Sequence, residues 1–145
     1  AFYDKEDYDN ALAVYRNALD LDPKNAKIHC NLGFLYWGKG DTDEAIREYE
    51  YAIEYDKSYS IAYNNLGVIY LDDLGRVKEA IDMFKKAVEY NPNYALAHFN
   101  LARSIAITGE KIEAAKLYQI AQDVNKITNE IDPQDITDKI NALFD

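Results

Sequence analysis

The residues that could carry out chemistry are few: two histidines, His29 and His98, and a single cysteine, Cys30. A metal site, or a cysteine activated by histidine, would need these side chains to meet in space. His29 and Cys30 are neighbours in sequence, so on a helix their side chains point in different directions. The sequence therefore favours packing roles for both histidines and predicts neither a catalytic residue nor a metal ligand.

The carboxylates are numerous, but their pattern does not predict a catalytic pair. The run from Asp41 to Glu44 is typical of a helix N-terminus, where acidic side chains meet free amides and the positive end of the dipole. Glu48 and Glu50, with Arg47 beside them, are typical of a solvated helix face. No glycine-rich phosphate loop or Gly-Lys-Ser/Thr motif is present. We therefore expect no enzymatic activity and no bound cofactor.

The charge balance narrows the class of partner. The formal net charge is −10, which disfavours nucleic acid and anionic membrane surfaces as partners. One thiol cannot form an internal disulfide, and no apolar run is long enough to span a bilayer. We expect a cytoplasmic location. The first residue is Ala1 rather than Met, which suggests a piece of a longer chain.

A repeated pattern organises most of the sequence. A Leu followed by a small residue occurs at Leu32-Gly33 and again 34 residues on, at Leu66-Gly67, then 35 residues later at Leu101-Ala102. Each copy continues with a glycine and an Ala-x-x-x-aromatic motif: Gly40, Ala45 and Tyr49; Gly75, Ala80 and Phe84; Gly109, Ala114 and Tyr118. A partial copy, from Ala11 and Tyr15 to Pro23, precedes them. A period of this length indicates a repeat architecture built from one supersecondary unit.

These residues resemble the tetratricopeptide repeat family over nearly the whole chain. The resemblance implies an all-α fold, a right-handed superhelical solenoid of antiparallel helix pairs with a C-terminal capping helix. We expect one domain with a partial repeat at 1–25 and repeats at 26–59, 60–94 and 95–128, followed by the cap at 129–145. It also implies a non-catalytic scaffold that binds a protein or peptide segment.

The residue types make physical sense in such a repeat. Small residues at Gly33 and Gly67 allow two helices to cross closely, and large aromatic residues fill the surrounding space. The three glycines Gly40, Gly75 and Gly109 are expected to end first helices in the left-handed conformation. Pro23 and Pro92 are expected to follow second helices, which they cannot easily continue.

Some positions depart from this pattern. Lys57 and Lys126 stand where proline is usual, so we expect both second helices to run on by a turn. The second repeat carries one additional residue, which predicts a longer turn with Asp72 and Asp73 facing solvent.

The two ends also differ. Phe2 and Tyr3 are interpreted as the remnant of a first helix. Asp132-Pro133 predicts the start of the capping helix, because aspartate caps helices and proline suits their first position. Its apolar face is expected to hold four residues: Ile136, Ile140, Leu143 and Phe144.

The resemblance also implies where a partner binds, because first helices line a concave groove in this family. The candidate binding residues are Lys27, Asn31, Phe34, Asn64, Asn65, Val68, Phe99, Asn100 and Arg103. Asn31, Asn65 and Asn100 occupy the same position in all three repeats. An amide both donates and accepts hydrogen bonds, so a row of them can pair with the backbone of an extended peptide. This arrangement is similar to the asparagine ladder of the O-linked N-acetylglucosamine transferase repeat domain.

Several alternatives stay open. The asparagines could instead cap or bridge neighbouring helices. A clamp for a C-terminal carboxylate is disfavoured, since only Asn65 of its five positions matches. The chain could also be a self-association module of a larger assembly, or a regulatory repeat segment of a larger enzyme.

Overall fold

The computed structural model describes residues 4–145, so the proposed remnant at Phe2 and Tyr3 lies outside the described residues. Within this range the chain is all-helical and contains no strand. The helices are α1 (Lys5–Leu21), α2 (Ala26–Lys39), α3 (Thr42–Tyr55), α4 (Ser60–Val68), α5 (Val77–Tyr90), α6 (Ala95–Ile107), α7 (Lys111–Thr128) and α8 (Pro133–Ala142). A π-helical turn, Ile69–Asp73, continues α4. The predicted all-α fold is confirmed.

The helices belong to two compact units, Ala1–Leu66 and Gly67–Asp145. In the first unit, α2 packs against both α1 and α3. In the second unit, α6 packs against α5 and α7, and α7 packs against α8. Short connections join α2 to α3 and α6 to α7, so each of these pairs must run antiparallel. We call α2, α4 and α6 the first helices of the repeats.

The helix ends follow from local side-chain chemistry. Asn25 accepts a hydrogen bond from the amide of Ile28 and so begins α2, and Asp132 accepts one from Gln134 at the start of α8. Gly40, Gly75 and Gly109 all have positive φ angles, as the sequence predicts. The left-handed conformation ends a helix and costs glycine little, because glycine has no Cβ.

At the centre of each unit, two helices cross closely where a small residue on one helix faces a large aromatic residue on the other. A Cβ on Gly33 would lie 2.8 Å from the ring of Tyr49, and one on Gly67 would lie 2.7 Å from the ring of Phe84. Both aromatic rings are fully buried, so neither has room to move aside. The predicted role of the two glycines is confirmed.

The C-terminal helix α8 covers the core of the second unit. Ile136 and Leu143 are buried in a cluster that includes Phe84, Leu101 and Tyr118, and Ile140 packs at its edge. The capping helix is therefore confirmed. The prediction was wrong for Phe144, which is 61% exposed. Helix α8 ends at Ala142, so Phe144 no longer follows the helical spacing that placed it on the buried face.

Buried Asn125 fixes the connection from α7 to α8. Its Oδ1 accepts hydrogen bonds from the amides of Glu130 (2.8 Å) and Ile131 (2.9 Å), and its Nδ2 donates to the carbonyl of Ile131 (2.7 Å). Glu130 in turn accepts a hydrogen bond from the amide of Leu96 at the start of α6. These bonds tie the segment before α8 to both α6 and α7.

The helices that contain or precede Lys126 and Lys57, the two lysines that stand where proline is usual, end in different ways. Helix α7 runs through Lys126 and ends at Thr128, as expected for an extended helix, and the next residue, Asn129, caps it in a left-handed conformation. The same prediction was wrong for Lys57, because α3 ends at Tyr55. Asp56 accepts hydrogen bonds from both the amide and the hydroxyl of Ser58, and this local turn competes with further helix.

We expected the additional residue in the second repeat to lengthen the turn, but the structure accommodates it in another way. The chain instead widens into the π-helical turn Ile69–Asp73, in which the amide of Leu74 donates to the carbonyl of Ile69. A π-turn accommodates one inserted residue without breaking the helix. Asp72 and Asp73 are exposed, as predicted, and Leu71 remains buried.

Substituting Gly67→Val should test the close crossing. The added side chain would overlap the buried ring of Phe84, so we expect the free energy of unfolding to fall by about 1–3 kcal/mol or more. Ala13→Val, which places the same side chain on an exposed helix position, serves as the control. Urea denaturation measures the free energy of unfolding of both variants. Equal losses of this free energy in Gly67→Val and Ala13→Val would mean that the helix crossing tolerates a side chain.

Candidate functional site

The two histidines share a structural role that the sequence only partly indicated. Nε2 of His29 donates to the carbonyl of Pro23, and Nε2 of His98 donates to the carbonyl of Pro92, both at 2.8 Å. Tyr63 stands at the same position of the second repeat, and its hydroxyl donates to the carbonyl of Lys57 at 3.0 Å. In each repeat, the first helix is thus tied to the loop before it. The recurring position was the available signal in the sequence, and it indicated packing rather than this hydrogen bond.

His29 has a second partner within the first unit. Its Nδ1 lies 2.7 Å from a carboxylate oxygen of Glu48, and its ring contacts those of Tyr51 and Tyr55. This arrangement ties α2 to α3. Among the described residues, no group of three or more His, Cys, Asp or Glu side chains is placed to hold a metal ion.

Cys30 lies inside the first unit rather than at a reactive surface. The residue is buried, and burial raises the pKa of its thiol to about 12. Only the thiolate is a good nucleophile, so this thiol is chemically quiet near neutral pH.

The first unit places several candidate binding residues on accessible faces of first helices. On α2, Lys27 is exposed, Asn31 is half-buried, and Phe34 is 58% exposed, with its ring against the edge of Trp37. On α4, Asn65 is half-buried. Asn64 is fully buried, so its amide is directed into the protein rather than towards a partner.

The second unit holds the remaining candidates, and they are less accessible. Val68 and Phe99 pack against the buried cluster, and Phe99 makes an edge contact with the ring of Tyr118. Asn100 is 4% exposed, and its Oδ1 accepts a hydrogen bond of 3.4 Å from Arg103. Asn31 and Asn65, which occupy the same repeat position, are both half-buried. The three equivalent asparagines therefore differ in accessibility, and Asn100 is the least accessible.

Arg103 forms an ion pair that the sequence did not indicate. Its Nη1 and Nη2 donate to the two carboxylate oxygens of Asp72 at 3.1 and 2.9 Å. Asp72 belongs to the π-helical turn created by the inserted residue. The positive charge that Arg103 brings to α6 is thus already matched by a carboxylate.

Comparisons with known proteins agree with this architecture. The sequence profile described as TPR repeat matches residues 1–40, and that described as tetratricopeptide repeat matches residues 30–88 and 70–136. The chain belongs to the tetratricopeptide-repeat family. No curated protein shows significant sequence similarity to it.

Three solved structures are similar to this chain in fold. The TPR2B domain of yeast Sti1, solved as a complex with pHsp70, has a TM-score of 0.75 and 22% identity, covering 81% of this chain and 94% of that one. MamA protein gives 0.72 and 24%, covering 97% and 80%. The first TPR of Spaghetti (RPAP3), bound to the HSP90 peptide SRMEEVD, gives 0.73 and 20%, covering 82% and 90%. At these identities the likeness establishes the fold.

Over residues 4–145, no helix combines the length and the apolar character needed to cross a membrane.

Alkylation of Cys30 should be very slow in the folded protein. Burial and the raised pKa both remove the reactive thiolate, so we expect iodoacetamide to react more than about 100-fold more slowly than in urea at the same pH. Mass spectrometry of timed samples measures the two rates. Fast alkylation of the native protein would reopen the possibility of a reactive cysteine.

Proposed function

We propose that this chain is a non-catalytic scaffold that binds an extended segment of a protein or peptide along the first helices of its repeats. The observation that carries the proposal is the accessibility of amide and apolar side chains on the first helices of the first unit, where Asn31 and Phe34 lie one helical turn apart on α2. Asn31 and Asn65 supply the amides, and Phe34 supplies the exposed ring.

The chemistry of this face suits the backbone of an extended peptide. An extended segment has unpaired amides and carbonyls along its length, and each asparagine amide can donate to one and accept from the other. Phe34 offers an apolar surface for a side chain of the segment, and exposed aromatic residues are common in interfaces. Lys27 adds a positive charge at the same face, which would favour a segment with some acidic character.

In the second unit, taken by itself, α6 carries most of the remaining candidate residues. Asn100 is largely buried, so we assign it a weaker role than Asn31 and Asn65, and we place Asn64 outside the contact surface. Val68 and Phe99 would present only their accessible edges, and Arg103 would act after release from Asp72.

Family membership supports a protein-interaction role. Two structural neighbours were solved with chaperone partners, pHsp70 and an HSP90 peptide, which supports a peptide as the ligand.

The substitution Asn65→Ala tests the role of the amides. The test peptide is one selected from a random library for binding to the wild-type chain. The substitution should weaken binding of this peptide by about 5- to 100-fold, because one or two hydrogen bonds are lost. Asn17→Ala removes the same amide from an exposed position on α1 and should leave the Kd unchanged. Isothermal titration calorimetry gives the Kd values, and thermal melts check that both variants remain folded. Equal affinities for the wild type and Asn65→Ala would refute the amide contribution.

A second candidate function is self-association, and one observation favours it. Helix α1 exposes two aliphatic side chains that lie two turns apart, Val14 (65%) and Leu21 (89%). Sedimentation velocity over a concentration series distinguishes the two functions. A monomer at high concentration would exclude self-association, whereas a dimer that Val14→Lys dissociates would support it.

A further inference from the structure

Helix α7 carries apolar side chains on two opposite faces. Ala114, Tyr118 and Ala121 lie on the face that is buried in the second unit. The opposite face exposes three isoleucines, which we call the α7 stripe: Ile112 (69%), Ile120 (43%) and Ile127 (81%). They fall within an arc of about 80° and extend over about 22 Å of helix. A helix that is apolar on both sides has a second surface to bury.

The α7 stripe is specific to the third repeat. The positions 34 residues earlier lie on or just after α5, the corresponding helix of the second repeat. They hold polar side chains, all of them exposed: Lys78, Lys86 and Asn93. The fold therefore leaves these positions in water, and the second repeat fills them accordingly. Isoleucine at all three positions of the third repeat indicates a surface that is covered by another chain.

The two ends of the α7 stripe differ in shape and complement each other. At the N-terminal end, Ile112 and the exposed ring of Phe144 line an open depression of about 590 Å³. At the C-terminal end, Ile127 is the most exposed side chain of the stripe. An antiparallel second copy of the chain would place its Ile127 at this depression, and the reverse contact would form at the other end.

Two charges on the same face of α7 follow the same symmetry. Lys116 and Asp123 lie between the outer isoleucines, and their midpoint along the helix is also the midpoint of Ile112 and Ile127. A two-fold axis through this point, perpendicular to the helix, brings Lys116 opposite Asp123 of the second copy. Ile120 lies beside the axis and meets Ile120 of the second copy.

The existing partner of Asp123 does not prevent this contact. Lys126 lies 3.1 Å from the Asp123 carboxylate within the same helix, and both side chains are more than half exposed. Exposed ion pairs of this kind are weak, because water solvates both charges. A carboxylate can also accept hydrogen bonds from two cations, so Lys116 of the second copy can join the pair.

We propose that two copies of this chain associate through α7, antiparallel about a two-fold axis beside Ile120, with Ile127 of each copy in the depression lined by Phe144 of the other. Such an interface uses the same patch on both copies. A parallel arrangement would instead bring Lys116 against Lys116 and Asp123 against Asp123. The contact is small, so we expect the dimer to form above about 100 µM chain concentration.

This interface goes beyond the proposed function and differs from self-association through α1. It lies entirely within the second unit, and it includes none of the candidate peptide-binding residues. A peptide along the first helices and a second copy on α7 would occupy separate surfaces.

The substitution Ile120→Lys tests the apolar contact. It would place two lysines against each other at the axis, so we expect the dimer Kd to rise at least about 10-fold. Val14→Lys makes the same change at an exposed position of α1 and should leave the Kd unchanged. Sedimentation velocity from about 10 µM to 1 mM measures both. A chain that stays monomeric throughout, or a dimer that both substitutions weaken equally, would overturn the proposal.

A charge exchange tests the antiparallel register. Lys116→Glu and Asp123→Lys should each raise the dimer Kd by about 5- to 30-fold, because each creates two repulsive pairs. The double variant Lys116→Glu/Asp123→Lys restores both attractive pairs and should return the Kd to within about threefold of the wild type. Lys86→Glu, on the exposed face of α5, is the control for net charge and should have no effect.

Thermal melts confirm that each variant remains folded. Single variants that dimerise like the wild type, or a double variant that is no better than the single ones, would refute this register.

Failure of this interface and failure of the proposed function are distinguishable. Ile120→Lys should bind the selected peptide as the wild type does, and Asn65→Ala should dimerise as the wild type does. If peptide binding depends on Asn65 while the chain remains monomeric, the α7 interface fails and the proposed function stands.

Discussion

The structure depends on one steric constraint, the close approach of a small residue on a first helix to a large aromatic ring on the next. Gly33 faces Tyr49, and Gly67 faces Phe84, at distances where a Cβ would overlap the ring. In the third repeat, Ala102 and Tyr118 belong to the same buried cluster. Because this contact decides which side of each first helix is buried, it also decides which side is left for a partner. Asn31 and Phe34 are accessible on α2 because Gly33 is turned towards Tyr49.

A second set of contacts fixes each first helix to the loop before it. The side chains of His29, Tyr63 and His98 all donate to a loop carbonyl six residues earlier. Histidine and tyrosine are interchangeable here because each carries a ring with a donor at its far end. The presence of histidine at two of these positions therefore follows from a shared hydrogen bond, and needs no catalytic or metal-binding explanation.

The repeat fold was predictable because its determinants are local and recur at a fixed period. Left-handed glycines, the aspartate-proline start of α8 and the glycine-aromatic crossings each depend on a few residues with a steric requirement of their own.

The features that escaped prediction depend on contacts distant in sequence or on competition between local structures. Arg103 and Asp72 are 31 positions apart, and Asp72 reaches Arg103 from a π-helical turn that the sequence did not distinguish from a longer turn. The end of α3 at Tyr55 likewise depends on hydrogen bonds from Ser58 to Asp56 rather than on a proline.

The candidate binding residues were identified by their shared repeat position, but position alone did not reveal their accessibility. Asn64 and Asn65 are adjacent in sequence, yet one is buried and the other half-buried, because they point to different sides of α4. Asn100 shares its repeat position with Asn65 and is nevertheless buried, beside the side chain of Arg103.

The central claim is that accessible asparagine amides recognise the backbone of an extended segment. An N-methylation scan of a peptide selected against the wild-type chain tests it most directly, because each methyl group removes one backbone donor and leaves the side chains intact. We predict that methylation at particular backbone positions abolishes binding to the wild type and has little further effect on the already weakened binding to Asn31→Ala/Asn65→Ala. Binding that tolerates methylation at every position, and depends only on peptide side chains, would contradict the account.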